Sequence, residues 1–136
     1  MHTVGTFTPE SVDDAREHYE AIGPAAQTVV RELARAMSFD REEYAERVTS
    51  DVVATARDAM FASLLEVRVG TREEYETWRD EYDGDVTETG HEAVDRVVWH
   101  AGPTGEAVAA TFQNEEDAAV ATLRRQAFGR IYRDLF

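Results

Sequence analysis

The sequence predicts an α+β fold in one domain spanning residues 1–136, with a helical part at 9–64 and a sheet-plus-helix part at 65–136. Three observations carry this reading. Apolar residues recur at helical spacing through residues 9–64. The period then switches to strict alternation at Leu65, Val67 and Val69, with Glu66 and Arg68 between them. Finally, two β-rich runs, Val94–Ala101 and Glu106–Gln113, flank Gly102-Pro103-Thr104-Gly105, whose turn chemistry makes them a hairpin. A chain of 136 residues is long enough to bury one core and too short for two. The expected architecture is an N-terminal helical segment followed by a small, mainly antiparallel sheet packed by a C-terminal helix.

Taken in order, the first helix is expected after Pro9, with Val12, Ala15, Tyr19 and Ile22 on one face, and Gly23-Pro24 stopping it. A second helix follows from Pro24, with Ala26, Val29, Val30, Leu33, Ala34 and Met37 facing the core. Asp40 and Glu43 offer a capping box for a third, and Ser50 or Asp51 a cap for a fourth that carries Val52, Val53, Ala56, Ala59, Met60 and Leu64. After the strand ending at Gly70, Thr71 and Glu74 make another capping box for a helix with Tyr75, Trp78 and Tyr82. Residues 86–89 read as an edge strand. On the hairpin, Val97, Trp99 and Ala101 share a face, as do Val108, Ala110 and Phe112 on the partner strand. Asn114 is the expected cap of the last helix, whose first turn holds Glu115, Glu116 and Asp117 and whose end holds Arg130 and Arg133.

Composition narrows function more by exclusion than by indication. All 14 basic residues are Arg, against 28 acids, for a net charge of −14, and the chain has no Cys. Without Lys or Cys there can be no Walker A loop, Schiff-base lysine, thiol nucleophile, disulfide or Cys-ligated metal. A hydrophobic share of 43% is enough to fold an acidic chain. Self-repulsion at this charge falls away at molar salt, and Arg keeps its charge when packed, so the composition fits a salty cytosol; mutational bias toward Arg codons is the bland alternative. The absence of a basic, apolar leader and of any long apolar run gives a cytoplasmic expectation with no membrane contact. The charge is uneven: residues 114–136 carry four acids and four Arg, so the last helix is neutral and is expected to be packed deepest.

Two residues stand out as ligand-binding candidates, Arg124 and His100. Arg124 falls in the middle of the apolar stripe Val120, Ala127, Phe128, Ile131 and Leu135, where a guanidinium pairs with a carboxylate, snorkels to the edge or lines an anion site. The carboxylate pair is the expected outcome. His100 follows Trp99 and points to the opposite face, where an exposed position or a neighbouring acid is the default. His91-Glu92-Ala93-Val94-Asp95 lacks the second histidine of a zinc helix and reads as a loop, so no metal and no cofactor is expected. None of the four Ser lies in a nucleophile-elbow setting, and adjacent carboxylates such as Glu73-Glu74 do not face each other on a helix.

Three stretches, Gly23–Met37, Asp51–Trp78 and Ala118–Phe136, resemble a family of small haloarchaeal proteins that form a domain of unknown function, and the likeness runs over nearly the whole chain. The resemblance implies a cytosolic haloarchaeal source and carries over no catalytic or binding residue. The leading functional expectation is a non-catalytic interaction module that self-associates, its partner being itself or another protein, because Trp78, Trp99 and the other aromatics offer surface for an interface as well as for a core. Two alternatives stand beside it. The helices within 24–64 and the strand after them have the element order of an acidic winged-helix regulator, although the acidic surface makes nucleic acid an unfavourable partner. A small enzyme or anion binder around Arg124 and His100 is the other.

Overall fold

The computed structural model describes residues 1–136 and has the expected α+β composition. Three helices form the first half: α1 (Val12–Ala36), α2 (Arg41–Arg47) and α3 (Ser50–Leu64). α1 starts where Ser11 Oγ accepts from the Asp14 amide at 3.0 Å. It does not stop at Gly23-Pro24, which corrects the sequence expectation of two helices. Pro24 has no N–H to give the Glu20 carbonyl, a loss that usually breaks a helix. Here the turn is held from outside by Arg57 on α3. Its Nε donates to the Tyr19 carbonyl at 2.8 Å, and its guanidinium lies 4.2 Å from the centre of the Tyr19 ring. Gly23 leaves the room, since a Cβ there would stand 3.2 Å from the guanidinium. The Gly-Pro pair is a seat for Arg57 in a continuous helix.

At α2, Asp40 Oδ1 accepts from the Glu43 amide at 2.8 Å, one half of the expected box, and no residue of this short helix is buried. α3 is capped by Thr49, one residue earlier than expected.

The second half builds a five-stranded sheet from β1 (His2–Val4), β2 (Val67–Thr71), β3 (Asp85–Thr89), β4 (Arg96–Ala101) and β5 (Glu106–Phe112), in the order β1-β2-β4-β5-β3. All pairings are antiparallel except β3 with β5. β2 and β3 therefore run the same way, and α4 (Arg72–Glu81) is the crossover that joins them, with β4 and β5 inserted between. Both halves of the Thr71–Glu74 capping box form at its start. β3 takes the expected edge position, and the segment from Gly90 to Asp95 must then pass over the end of β5 to reach β4. Gly90 allows this with φ +99°, where a Cβ would collide with Thr111 Oγ1.

Both faces of the sheet are buried, and that explains the continuous burial along β4. On one face Val67, Val69, Val98 and Val108 pack against Ala15 of α1, Phe61 of α3 and the last helix, α5 (Glu116–Ala127). On the other, Val97, Trp99 and Ala109 meet Tyr75 of α4, with Trp78 and Val86 at the margin. α5 carries no side-chain cap, so Asn114 does not take the expected role; Glu116 and Asp117 still sit against the positive end of the helix. Val120, Leu123 and Ala127 of α5 are buried, as are Phe128, Ile131 and Tyr132 in the π-helical turn that continues it (Phe128–Tyr132). Of the helical segments, this neutral one buries the most residues, although β4 is buried more completely. No helix is long and apolar enough to cross a membrane.

Candidate interaction surface and polar cleft

The apolar stripe of α1 is wider than α3 can cover. At about 100° per residue, Ala26, Val30 and Ala34 occupy one half of the stripe and Val29, Leu33 and Met37 the other. The first three are buried against α3, whereas Val29, Leu33 and Met37 are 42%, 57% and 63% exposed. Val52 on α3 and Tyr44 on α2 are exposed as well. The sequence expectation that all six residues of this stripe face the core is thus corrected. α3 covers only one half of the stripe, and the remaining half has no partner within the chain.

Arg124 and His100 converge on the junction between α3 and β2. Arg124 Nε donates to the Leu65 carbonyl at 2.9 Å and its Nη2 to the Val4 carbonyl at 3.1 Å. No carboxylate pairs with it, and its part-buried guanidinium has its pKa lowered by desolvation alone. The expected carboxylate partner is replaced by two backbone oxygens, which Arg can satisfy with separate N–H groups of one planar fork. This ties β1, the end of α3 and α5 together. His100 is buried, neither exposed nor paired with an acid as the sequence expectation had it. Its Nδ1 lies 2.6 Å from the Glu66 carbonyl and its Nε2 2.7 Å from the Tyr132 hydroxyl. A carbonyl only accepts, so Nδ1 carries the proton and Nε2 accepts from Tyr132. Burial pushes the imidazole pKa down and the Tyr132 hydroxyl pKa up, so both groups stay neutral. Neither Arg124 nor His100 lines the cleft described next.

That cleft, which sequence reasoning missed, is formed because one helix cannot cover five strands. α4 lies over β2 and β4 and leaves the β5–β3 half of its face open. The gap has a volume of about 390 Å³ and is lined by Arg72 and Tyr75 of α4, Glu88 of β3, His91 of the crossing loop, and Thr111 of β5. The Tyr75 hydroxyl donates to Glu88 Oε1. Burial, and then Glu88 itself, push that hydroxyl pKa far up, so it remains a donor. Arg72 Nη2 donates to the carbonyls of His91 at 3.2 Å and Val94 at 3.3 Å, and its Nε is buried without a partner. His91 Nδ1 accepts from the Ala93 amide at 3.0 Å, which leaves the ring proton on Nε2. The signal was not local. Arg72, Glu88 and Thr111 stand far apart in sequence and meet only through the crossover.

Winged-helix geometry does not arise from residues 24–64. The strand after them, β2, lies between β1 and β4 inside the main sheet, with no two-stranded wing beside the helices.

A mixed sheet with α4 on one face and α1, α3 and α5 on the other, carrying an open helix stripe and a polar cleft, defines a small α+β protein. The chain belongs to a family of unknown function, DUF5809, whose model matches residues 6–133. No curated protein and no solved structure matches it significantly.

Proposed function

We propose that the protein is a non-catalytic interaction module of a high-salt cytosol that self-associates through the open stripe of α1. The observation that supports this reading is the row of Val29, Leu33 and Met37, spaced by four residues and more than a third exposed. Exposed apolar residues scattered singly need no explanation, but a contiguous row marks a contact surface. A second copy is the occupant argued for. The α1–α3 pair already packs helix on helix through one half of the stripe, so a copy placed about a two-fold axis would pack its own α1 against the other half and complete a four-helix layer.

Sedimentation in molar KCl tests it. The expected mass is twice 15.3 kDa, and Leu33→Glu should return the monomer without loss of helical signal, since Leu33 is not part of the buried core. A wild-type protein that sediments only as monomer at tens of micromolar would refute self-association.

A further inference from the structure

We propose that the cleft between α4, β3 and β5 binds a small zwitterion bearing an ammonium group and a carboxylate, the chemistry of a free amino acid. This site lies on the opposite face of the sheet from the α1 stripe and does not depend on self-association.

The two walls of the cleft carry opposite charges that do not neutralise each other. Glu88 is bonded through Oε1 to Tyr75, so its second oxygen is left to accept, and no Arg stands within ion-pair distance of it. Arg72 has no carboxylate partner either. Its Nη2 is committed to two loop carbonyls, its Nη1 makes no bond within the chain, and its Nε is buried unpartnered. Buried donors without partners are uncommon enough to ask what completes them. The Nε is enclosed by the protein, so the donor that a carboxylate brought to this wall would engage is the free Nη1.

A simple anion is disfavoured by Glu88, by Glu92 on the same lining and by the field of a protein at −14, and a simple cation meets Arg72. A molecule with both charges matches both walls. Size agrees: about 390 Å³ lies at the low end of the range for small-molecule sites, roughly 300–1,000 Å³. Val97 and Ala109 give the floor a short apolar patch, and His91 Nε2–H adds a donor at the roof.

The parts are also held in place before any ligand arrives. The His91 amide donates to Thr111 Oγ1 at 3.1 Å and Arg72 grips the same loop, so the roof is tied to both β5 and α4. Such fixing lowers the ordering cost of binding.

The test is a titration of the ¹⁵N-labelled full chain with glycine, L-alanine, L-aspartate and L-arginine, with ethylamine and propionate as single-charge probes. At least one amino acid should shift the amides of Arg72, Glu88, Thr89, Gly90, His91 and Thr111 saturably, binding at least about tenfold more tightly than either single-charge probe. Glu88→Gln keeps an acceptor for Tyr75 and removes the charge, so it should weaken that binding about tenfold or more while the rest of the spectrum stays native. The proposal is overturned if no amino acid gives saturable shifts there, if ethylamine or propionate binds as tightly, or if binding survives Glu88→Gln unchanged.

Discussion

His100 shows how a polar side chain can be fully committed inside a core. One ring nitrogen donates to the Glu66 carbonyl and the other accepts from Tyr132, an arrangement open only to the neutral imidazole. Arg124 is the cationic counterpart, spending its guanidinium on the carbonyls of Leu65 and Val4. The histidine makes stability depend on pH with a definite sign. Burial holds folded His100 below its ordinary value of 6.5, whereas in the unfolded chain it takes up a proton as pH falls through about 6.5. Between those two values the unfolded state binds more protons, so His100 lowers stability as pH falls through that window, and the loss levels off below the folded value. Comparison with His100→Gln isolates the histidine, because Gln keeps one donor and one acceptor but does not titrate, and His2, His18 and His91 are common to both proteins. Wild type should lose stability relative to the variant from about pH 6.5 downward, by at most about 1.4 kcal/mol per pH unit. A difference in urea midpoint that stays constant across the range would mean that the imidazole is not held neutral.

Elements were legible where the signal was local and periodic. The Thr71–Glu74 box, the alternation at Val67 and Val69 and the hairpin turn at residues 102–105 each specify their own backbone, and each appears in the fold as read. What could not be read needed a partner from elsewhere in the chain. β1 has three residues and exists only because β2 offers an edge, β3 is parallel only because the 90–95 loop crosses β5, and the cleft follows from that crossing. The α1 stripe was read correctly as amphipathic, but a periodic pattern does not say how many helices will come to cover it. Gly23-Pro24 misleads for the same reason, since Arg57 arrives from α3 to hold the turn. That account predicts a coupling. Gly23→Ala should gain about 1 kcal/mol from helix propensity wherever the methyl is free to fit. In this protein the methyl would press on the Arg57 guanidinium at 3.2 Å, so the gain should be reduced or reversed. In an Arg57→Ala background the full gain should return, a coupling of at least about 0.5 kcal/mol in a double-mutant cycle. Additive effects would show that Arg57 does not occupy the space that Gly23 leaves.

Across the whole molecule the arginines serve the backbone and the aromatic rings more than the acids. Only Arg35 and Arg96 reach a carboxylate, at Glu32 and Glu116, and both pairs lie at the surface. Arg16, Arg57, Arg72 and Arg124 donate to backbone carbonyls, while Arg47, Arg96 and Arg133 stand over the rings of Phe39, Phe112 and Phe128. A guanidinium suits both tasks better than an ammonium, since it is planar, offers several donors in one fork and is weakly hydrated. The consequence is that the 28 acids are largely left uncompensated where they sit. Added salt therefore has few attractive ion pairs to weaken and much repulsion to screen. The screening length falls from about 10 Å at 0.1 M to about 3 Å at 1 M, so the thermal midpoint should climb as KCl is raised across that range. Stronger exclusion of some salts from the surface also favours the folded state, and it is separable: a screening gain is steep at low salt and flattens near about 1 M, whereas an exclusion gain continues to rise and is larger for sulfate than for chloride at equal ionic strength. Steep gain below about 0.5 M, nearly equal for the two anions, is the expected result. A midpoint that is flat or falls with KCl would mean that the acidic surface carries no net repulsion in the folded state, and the high-salt setting proposed for this protein would lose its physical basis.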